Sequence, residues 1–455
     1  MAHSHFVHRL LPLLLVVLAV TSPATAEWNE KVLYSFQGGS SDGSVPAGGV
    51  VFDKKGNLYG ATTDGGPASC APIGGACGTV FQLTPPTQKG GSWTETLIYQ
   101  FQGEVSKDAS VPTGGLIFDA VGNLYGVTGY GGTGDCVLIG VKGGCGTVYE
   151  LSPPAQQGGA WTETILYSFQ GGNDGYVPWG DLVFDKSGNL YGSTIFGGGK
   201  GTTCDPFYQY CGTVFKLSPP KKQGGAWTEK VLHSFAGGSD GANPNGGLVL
   251  DGKGEVYGTS NSGGNQGCRY QSEVGCGTAF RLTPPGKKGG AWTERQLYVF
   301  SGGSDGGQPN GGLVFDAKGS LYGTALGGSP SGGGVAFRLT TSKGGRWSET
   351  VLYWFSNSGP GAPLAGLTFG SAGDLYGTTG PGSEAGTVFR LKPPSRKGGA
   401  WTLGILHDFT GSPDGAIPAA GLIFDKHGDL YGTTRAGGTG TTCPGYCGTA
   451  FEATP

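Results

Sequence analysis

Two carboxylates, Asp64 and Asp181, are the side chains of this sequence best suited to acid–base catalysis. Cleavage of a sugar linkage needs two carboxyl groups that flank the bond, so these residues would have to meet in the folded chain. Histidine offers no alternative, because residues 27–455 hold only three histidines, and none stands in a motif with a nucleophile or a second metal ligand. This thin set of catalytic groups favours a protein without enzymatic activity, with a carbohydrate-active hydrolase or lyase as the alternative.

A larger group of aromatic and polar side chains could bind a ligand. They stand where a sequence repeat, described below, changes from copy to copy, and variation on a constant frame is how repeat proteins build a binding surface. Aromatic rings there could stack on sugar rings, or they could simply cover the loops that carry them. In the third copy, Tyr176, Trp179 and Asp181 replace residues that are mostly Ala, Asn or Gly elsewhere. The predicted ligand-binding residues are Asp64, Tyr130, Tyr176, Trp179, Asp181, Phe196, Asn261 and Arg435, and the cysteine-bearing loops add Phe207, Tyr208, Tyr210, Arg269, Tyr270 and Tyr446.

Aspartates followed by glycine recur in the loops that join one repeat to the next. A ring of carboxylates could bind Ca²⁺, which takes six to eight oxygen ligands. One aspartate per loop cannot form such a site alone, whereas Asp-Gly is a common turn sequence in which the aspartate bonds the backbone. We therefore expect turn caps and no cofactor, with calcium as the alternative. The five residues are Asp42, Asp174, Asp240, Asp305 and Asp414, while Asp108 is followed by Ala and the sixth copy has Gly359-Pro360-Gly361.

All these residues depend for their positions on a unit that occurs seven times. The unit contains Gly-Leu-Val-Phe-Asp, a short turn and Asn-Leu-Tyr-Gly-Thr, then Cys-Gly-Thr-Val-Phe-x-Leu, and finally Trp-Thr-Glu followed by Leu-Tyr-Ser-Phe. These motifs predict four short strands per unit, and the Asp and Gly of the first motif predict a tight turn. The tryptophans of the last motif are Trp28, Trp93, Trp161, Trp227, Trp292, Trp347 and Trp401.

Four antiparallel strands repeated every 54 to 68 residues predict the blades of a β-propeller. The chain begins with the fourth-strand motif and ends with the third, so residues 28–36 should complete the last blade and close the ring. The predicted fold is therefore all-β, a seven-bladed β-propeller of four-stranded antiparallel blades. In this topology the loops between second and third strands share one face with the loops between blades. The predicted blades cover about residues 46–101, 112–169, 178–235, 244–300, 309–355, 363–409 and 418–452.

All ten cysteines fall in the loops between second and third strands, as local pairs. Units five and six lack both members, and joint presence or absence is what a loop-closing disulfide predicts. Two cysteines per loop without a nearby histidine do not form a zinc site. We call the side of the ring that carries these loops the cystine-loop face. The predicted pairs are Cys70/Cys77, Cys136/Cys145, Cys204/Cys211, Cys268/Cys276 and Cys443/Cys447.

Composition and the N-terminus bear on location and partners. A net charge of −3 offers no basic surface for nucleic acid, and that class of partner is excluded. Basic, apolar and then small residues over positions 1–26 predict a signal peptide cleaved after Ala26, which leaves residues 27–455 as a single propeller. The apolar run is too short to span a bilayer, and no later segment is apolar enough. We expect a secreted or periplasmic monomer with disulfides and no transmembrane segment.

The repeat resembles the GloVer repeat, named for Gloeobacter and Verrucomicrobia. Gly-Gly-Leu-Val-Phe-Asp with Asn-Leu-Tyr-Gly-Thr carries the resemblance, as does Cys-Gly-Thr-Val-Phe-Lys-Leu with Trp-Thr-Glu and Leu-Tyr-Ser-Phe, over essentially the whole chain after residue 26. The resemblance implies a bacterial, exported protein without an assigned activity, and many such proteins end in a surface-sorting tail. No such tail follows the last repeat here, which favours free secretion or a periplasmic location. The hairpins are also similar, more loosely, to those of NHL-type propellers.

Three functions remain open from the sequence. The favoured one is an exported, non-catalytic module that binds carbohydrate or another extracellular polymer through the cystine-loop face. The second is an extracellular carbohydrate-active enzyme that uses carboxylates on that face. The third is a structural protein of the cell envelope, in which the rigid ring matters more than any pocket. Converging carboxylates at the centre of the ring would favour the enzyme, whereas a plain glycine-lined channel would favour the structural protein.

Overall fold

The computed structural model describes residues 28–455, apart from residues 67–68, 71–74, 89, 104–107, 139–140, 157, 200–210, 223, 271–272, 381, 383–384, 444 and 446. Seven four-stranded antiparallel blades form a ring, which confirms the predicted all-β propeller. The helical segments of the described chain are two 3₁₀ turns, Gly172–Asp174 and Gly238–Asp240, and none of its helices could cross a membrane. The predicted signal peptide lies outside the described residues.

Blades one to six are each built from one repeat, with the strands in sequence order across the sheet, whereas blade seven takes its fourth strand from the start of the described chain. In blades one to four the strands are Val51–Phe52, Leu58–Gly65, Thr79–Thr84 and Thr94–Gln100; Ile117–Phe118, Leu124–Gly131, Thr147–Ser152 and Thr162–Ser168; Tyr176–Phe184, Leu190–Phe196, Thr213–Ser218 and Thr228–Ser234; and Val249–Leu250, Val256–Ser260, Thr278–Thr283 and Thr293–Val299. In blades five to seven they are Val314–Phe315, Leu321–Gly327, Gly332–Thr341 and Trp347–Ser356; Thr368–Phe369, Leu375–Thr379, Thr387–Lys392 and Thr402–Asp408; and Ile423–Phe424, Leu430–Thr434, Thr449–Thr454 and Asn29–Ser35.

Short additional strands lie on the cystine-loop face. Gly43–Pro46, Ala109–Pro112 and Gly307–Pro309 pair with the ends of the second strands of blades one, two and five. In blade three the same segment is part of the long first strand. Three cystine loops of the described chain form small hairpins whose strands have two residues each. The paired strands are Ser69–Cys70 with Gly75–Ala76, Val137–Leu138 with Val141–Lys142, and Arg269–Tyr270 with Glu273–Val274.

The first strand of the chain closes the ring, as the order of the sequence motifs predicts. Asn29–Ser35 pairs antiparallel with Thr449–Thr454, and Val32 lies opposite Phe451. The two ends of the described chain therefore share blade seven, and its third strand has a partner on both sides.

The glycine of the Asn-Leu-Tyr-Gly-Thr motif leaves room for an aromatic ring on the third strand. A Cβ atom at Gly60 would lie 2.5 Å from the Phe81 ring, and one at the matching glycine of every other blade would lie within 2.7 Å of the matching ring. The fully buried Phe81 also contacts Phe36, at the end of the preceding blade's fourth strand, with ring centroids 4.9 Å apart. The same pair of aromatic rings recurs at all seven junctions, so these contacts hold adjacent blades together.

A residue in the left-handed backbone region precedes the proline that leads into most blades. Val177 has a φ of 54°, an uncommon conformation for a β-branched residue. Its N–H donates a hydrogen bond of 3.0 Å to the carbonyl oxygen of Cys145 in the preceding blade. That bond fixes the backbone just before Pro178 and Trp179, where the chain enters the centre of the ring. The same conformation and the same type of bond occur at Val45, Val111, Asn243, Gln308 and Ile417.

Disulfides close three of the cystine loops, which confirms the local pairing at these positions. They join Cys136 to Cys145, Cys268 to Cys276 and Cys443 to Cys447. Cys77 and Cys211 are also disulfide-bonded. Their predicted partners, Cys204 and the side chain of Cys70, lie outside the described part of the chain, so those two pairs stay predictions.

The disulfides show directly that the two classes of loop share a face. The Sγ atom of Cys136 would lie 2.7 Å from a Cβ atom at Gly171, which belongs to the loop that leaves the same blade. Cys443 has the same relation to Gly38, and Cys268 and Cys276 to Gly302. Each of these disulfides therefore packs on a glycine of an interblade loop and leaves no room for a side chain there.

Candidate functional site

Two adjacent cavities occupy the central channel, with volumes of about 120 and 330 Å³. Segments from all seven blades line both of them. Outside blade three, the smaller cavity is lined by residues that precede the first strands, and the larger one also by first-strand residues such as Val51 and Ile117. Because each interblade loop enters its first strand from the cystine-loop face, the smaller cavity lies on that side. We call it the channel mouth.

Blade three differs from the other six at the channel mouth. Asp181 occupies a position at which every other blade has glycine, namely Gly49, Gly115, Gly247, Gly312, Gly366 and Gly421. Two residues earlier, Trp179 stands where the other blades have Ala47, Thr113, Asn245, Asn310, Leu364 and Ala419. Asp181 lines both cavities and is the only charged group among their described lining residues.

The backbone of the neighbouring blade holds the Asp181 carboxylate. Its Oδ1 accepts a hydrogen bond of 2.6 Å from the N–H of Gly115 in blade two. The crowded protein around the channel raises the pKa of Asp181 by desolvating the carboxylate, and the bond from Gly115 opposes that rise. Solvent still reaches the side chain through the open channel, and Asp181 is exposed. The carboxylate is thus fixed in place yet accessible to a ligand.

Trp179 presents an aromatic ring at the same mouth. Its side chain is 37% exposed, which is unusual for tryptophan in this structure and leaves a ring surface open to a ligand. Its backbone is fixed by the pairing of Trp179 with Ser193, and the Ser193 hydroxyl donates to its carbonyl oxygen. Thr113 of blade two likewise donates to the carbonyl oxygen of Pro178. Blade three therefore offers an exposed indole and a carboxylate on a rigid backbone.

Side-chain amides continue the polar rim of the mouth. Asn245 donates a hydrogen bond of 2.6 Å to the Oδ1 atom of Asn310, and Asn310 donates to the carbonyl oxygen of Leu364. The Oδ1 atom of Asn245 is buried and has no hydrogen-bond donor among the described residues. Asn245 of blade four and Asp181 of blade three therefore line the same cavity, with the Asn245 oxygen buried.

Asp64 does not join Asp181 in either channel cavity. It lies at the end of the second strand of blade one, opposite Ser44, and its Oδ1 accepts a hydrogen bond from the N–H of Gly65. The structure therefore does not place the two predicted catalytic carboxylates in a common cavity of the described chain.

The predicted residues that follow the second strands occupy two different structural positions. Asp64, Tyr130 and Phe196 each pair with the residue two places before the proline of their blade. In blades four and seven that position belongs to Ser262 and Ala436, so Asn261 and Arg435 lie one residue earlier. Since successive strand residues point to opposite faces, the eight predicted residues do not form one continuous set.

Burial separates the remaining predicted residues. Tyr176 is only 7% exposed and packs against Phe196, with ring centroids 5.4 Å apart. Arg435 and Arg269 are exposed on the cystine-loop face. Tyr270 belongs to the hairpin there. Phe207, Tyr208, Tyr210 and Tyr446 lie outside the described residues.

The loop aspartates cap the turns between blades. Asp42 accepts hydrogen bonds of 2.6 Å from the N–H groups of Gln37 and Gly43, and one of 2.9 Å from the Tyr34 hydroxyl. Asp108, Asp174, Asp240, Asp305 and Asp414 make the corresponding bonds to a backbone N–H and to a Tyr or His of the fourth strand.

Each loop aspartate also faces a glutamate of the next blade, an arrangement that the sequence analysis missed. Burial and the neighbouring Asp108 carboxylate raise the pKa of Glu163 to about 8. One Glu163 oxygen is buried without a donor in the described structure, since Asp108 is also an acceptor. The junction between blades five and six has neither the aspartate nor the glutamate. Its loop contains Gly359-Pro360-Gly361, and Leu403 stands at the position of the glutamate. The pairs are Asp42/Glu95, Asp108/Glu163, Asp174/Glu229, Asp240/Glu294, Asp305/Glu349 and Asp414/Glu30.

One of these junctions could hold a metal ion. Glu30, His407 and Asp414 each offer a ligand atom, and these atoms lie within 4.8 Å of one another. Three such groups do not supply the six to eight oxygens that calcium prefers. Calcium binding by the loop aspartates stays the alternative to the expected absence of a cofactor.

A larger cavity lies away from the channel, between blades six and seven. It has a volume of about 1070 Å³ and includes Trp28, Tyr376, Arg390, His407 and Pro455. The described residues that line it come from blades six and seven. We place the candidate site at the channel mouth, which described segments of all seven blades enclose.

Comparison with solved structures found distant likenesses. The chain is similar to a calcium-containing structure of Carbohydrate-Active Enzymes Family AA12 from Trichoderma reesei, with 13% identity, a TM-score of 0.43, and coverage of 94% of this chain and 96% of that one. A PL25 ulvan lyase bound to a glucuronic acid–sulfated rhamnose saccharide gives 10% identity, a TM-score of 0.47 and 90% coverage of both chains. A gluconolactonase from Xanthomonas campestris gives 15% identity, a TM-score of 0.37, and coverage of 68% and 78%.

These likenesses carry no conclusion about activity. No curated protein matches the sequence significantly. A family model, described as the Gloeobacter/Verrucomicrobia repeat, matches residues 17–204, 136–379 and 201–451, which together span nearly the whole chain. The protein therefore belongs to the Gloeobacter/Verrucomicrobia repeat family.

Proposed function

We propose that this protein is an exported, non-catalytic module that binds an extracellular polymer, with carbohydrate as the polymer, at the channel mouth of the cystine-loop face. The observation that carries the proposal is the joint presence of Trp179 and Asp181 at a mouth where the other six blades contribute uncharged and mostly small residues. An exposed indole can stack on the apolar face of a sugar ring, and a carboxylate can accept hydrogen bonds from its hydroxyl groups.

The rigid frame supports a binding function. Pairing with Ser193 and the bonds from Thr113 and Gly115 fix the backbone of blade three and its carboxylate before any ligand arrives. Preorganisation of this kind lowers the entropic cost of binding. Catalysis by two carboxylates needs a second carboxylate beside Asp181. Asp181 is the only one among the described residues that line the channel.

Export is part of the proposal. Residues 1–26 would be removed as a signal peptide, and disulfides such as Cys136–Cys145 are the expected covalent state in an oxidising compartment. Residues 27–455 would then form one propeller that acts as a monomer.

A panel of soluble polysaccharides, tested by affinity electrophoresis, examines the proposal. Purified propeller should be retarded by at least one polysaccharide, and Trp179→Asn should abolish the retardation. Blades four and five carry asparagine at this position, so the variant should keep the fold. Equal retardation of wild type and Trp179→Asn, or no retardation by any polysaccharide, would overturn the proposal.

A further inference from the structure

The charge of the channel points to the kind of ligand that the mouth accepts. Asp181 is the only charged residue among the described linings of both cavities, and no Lys, Arg or His is present to balance it. Its one described hydrogen bond comes from Gly115 and occupies one of the roughly four lone-pair sites at which a carboxylate can accept hydrogen bonds. A carboxylate with no opposite charge among the described residues around it attracts positive charge, so the channel is electrostatically suited to a cation.

The other groups at the mouth match one type of cation. An aromatic face attracts ammonium groups, and the exposed Trp179 ring lines the same cavity as Asp181. A primary ammonium carries three N–H donors, which the Asp181 carboxylate can accept while the indole covers the attached carbon.

The size of the mouth limits what can enter. Its volume of about 120 Å³ is well below the roughly 300–1,000 Å³ of pockets that enclose a whole small-molecule ligand. The mouth therefore suits a substituent that projects from a polymer, while the polymer itself lies across the cystine-loop face.

We propose that the polymer bound at the channel mouth carries a primary ammonium group, as an amino sugar does, and that Asp181 pairs with this group beside the ring of Trp179. The inference rests on the proposed carbohydrate-binding function and names the chemical class of its ligand.

Two polymers that differ only in this group provide the test. Oligosaccharides of glucosamine and of N-acetylglucosamine, of equal length, are titrated into the protein by calorimetry at mildly acid pH, where the amine is protonated. Wild type should bind the glucosamine oligomer about tenfold or more tightly than the acetylated one. Asp181→Gly, which restores the residue of the other six blades, should lose this preference.

Asp135→Asn is the matched control for non-specific attraction to a negatively charged protein. Asp135 is an exposed carboxylate paired with Lys142 on the cystine-loop face, and its removal should leave the preference intact. Equal binding of both oligomers by wild type would overturn the ammonium inference and leave the proposed function standing. Binding of another polysaccharide but of neither oligomer would do the same. Calcium binding that is lost in Asp181→Gly would also overturn it, since the carboxylate would then serve an inorganic cation.

Discussion

Glu163 of blade two lies within hydrogen-bonding reach of Asp108, in the loop that enters the same blade from blade one. Tyr99 and Tyr149 also face Glu163, and Tyr99 donates a hydrogen bond of 3.3 Å to Asp108. No cation is among these neighbours, so the neighbouring carboxylates of Glu163 and Asp108 are best accommodated by one shared proton. The junction between blades is therefore most favourable when Glu163 is protonated.

Glu163→Gln should make the protein less sensitive to alkaline pH. The pKa of Glu163 is raised from 4.5 to about 8 in the folded chain, so the folded state binds the extra proton and stability falls as pH rises between these values. An amide mimics the protonated acid at every pH. We expect the free energy of unfolding of Glu163→Gln, relative to wild type, to increase by about 2 kcal/mol from pH 5 to pH 9.

Urea denaturation across that range measures the difference, with Asp135→Asn as the control. Asp135 forms an exposed ion pair with Lys142, and its loss should change stability little at any pH. If the stability of Glu163→Gln relative to wild type falls with rising pH, Glu163 is ionised in the folded protein. That result would contradict a protonated Glu163 at this junction.

Gly60→Ala should destabilise the ring. The added Cβ atom would lie 2.5 Å from the fully buried Phe81 ring, which packs against Phe36 and has no space to move. We expect a loss of about 2–3 kcal/mol in the free energy of unfolding. Gly252→Ala, in a turn where a Cβ atom meets nothing within 4 Å, is the control. If both variants unfold at the same denaturant concentration, the packing explanation of the motif is wrong.

Removal of one disulfide should cost little more than the entropy of one loop. Cys136 and Cys145 have a sequence separation of 9, and the chain-entropy model gives about 2.6 kcal/mol for so small a loop. The Cys136→Ser, Cys145→Ser double variant should therefore keep the circular dichroism spectrum of wild type and unfold at a lower temperature. Loss of the β-sheet spectrum at room temperature would mean that the disulfide supports the whole ring.

Gly115 and Asp181 should be energetically coupled. A Cβ atom at Gly115 would lie 2.9 Å from the Asp181 carboxylate oxygen, and its three closest neighbours all belong to that side chain. Gly115→Ala should therefore destabilise wild type by about 1 kcal/mol more than it destabilises Asp181→Gly. Chemical denaturation of the four proteins in this double-mutant cycle gives the coupling. Additive effects would show that the two residues do not hold each other in place.

Much of the fold could be predicted because the same strand and turn motifs occur seven times in the sequence. The motif order predicted the closure of blade seven by Asn29–Ser35, and the paired absence of cysteines predicted local disulfides such as Cys136–Cys145. The glutamate of the Trp-Thr-Glu motif was missed as a functional feature. Its replacement by Leu403 in the unit that follows the one loop without aspartate was the available signal.

The candidate site was predicted less completely. Trp179 and Asp181 could be singled out because they break the repeat in one unit. The one-position difference between Asp64 and the pair Asn261 and Arg435 was already present in the sequence, because Asp64 follows its motif tyrosine by five residues and the other two follow theirs by four. The pairing with the segment before each proline confirms that difference. Burial of Tyr176 was hidden, because packing against Phe196 depends on the folded sheet.

The most direct test of binding at the channel mouth is the dissociation constant of the polysaccharide that the propeller binds. Calorimetry measures it for wild type, Trp179→Asn and a distant control. Trp179→Asn should weaken binding at least about tenfold, because it removes the exposed ring at the channel mouth. Trp354→Ala, at the 49% exposed tryptophan on the outer strand of blade five, should bind as wild type does. Weaker binding by Trp354→Ala, with Trp179→Asn unchanged, would place the binding surface on the outer edge of the ring and contradict a site at the channel mouth.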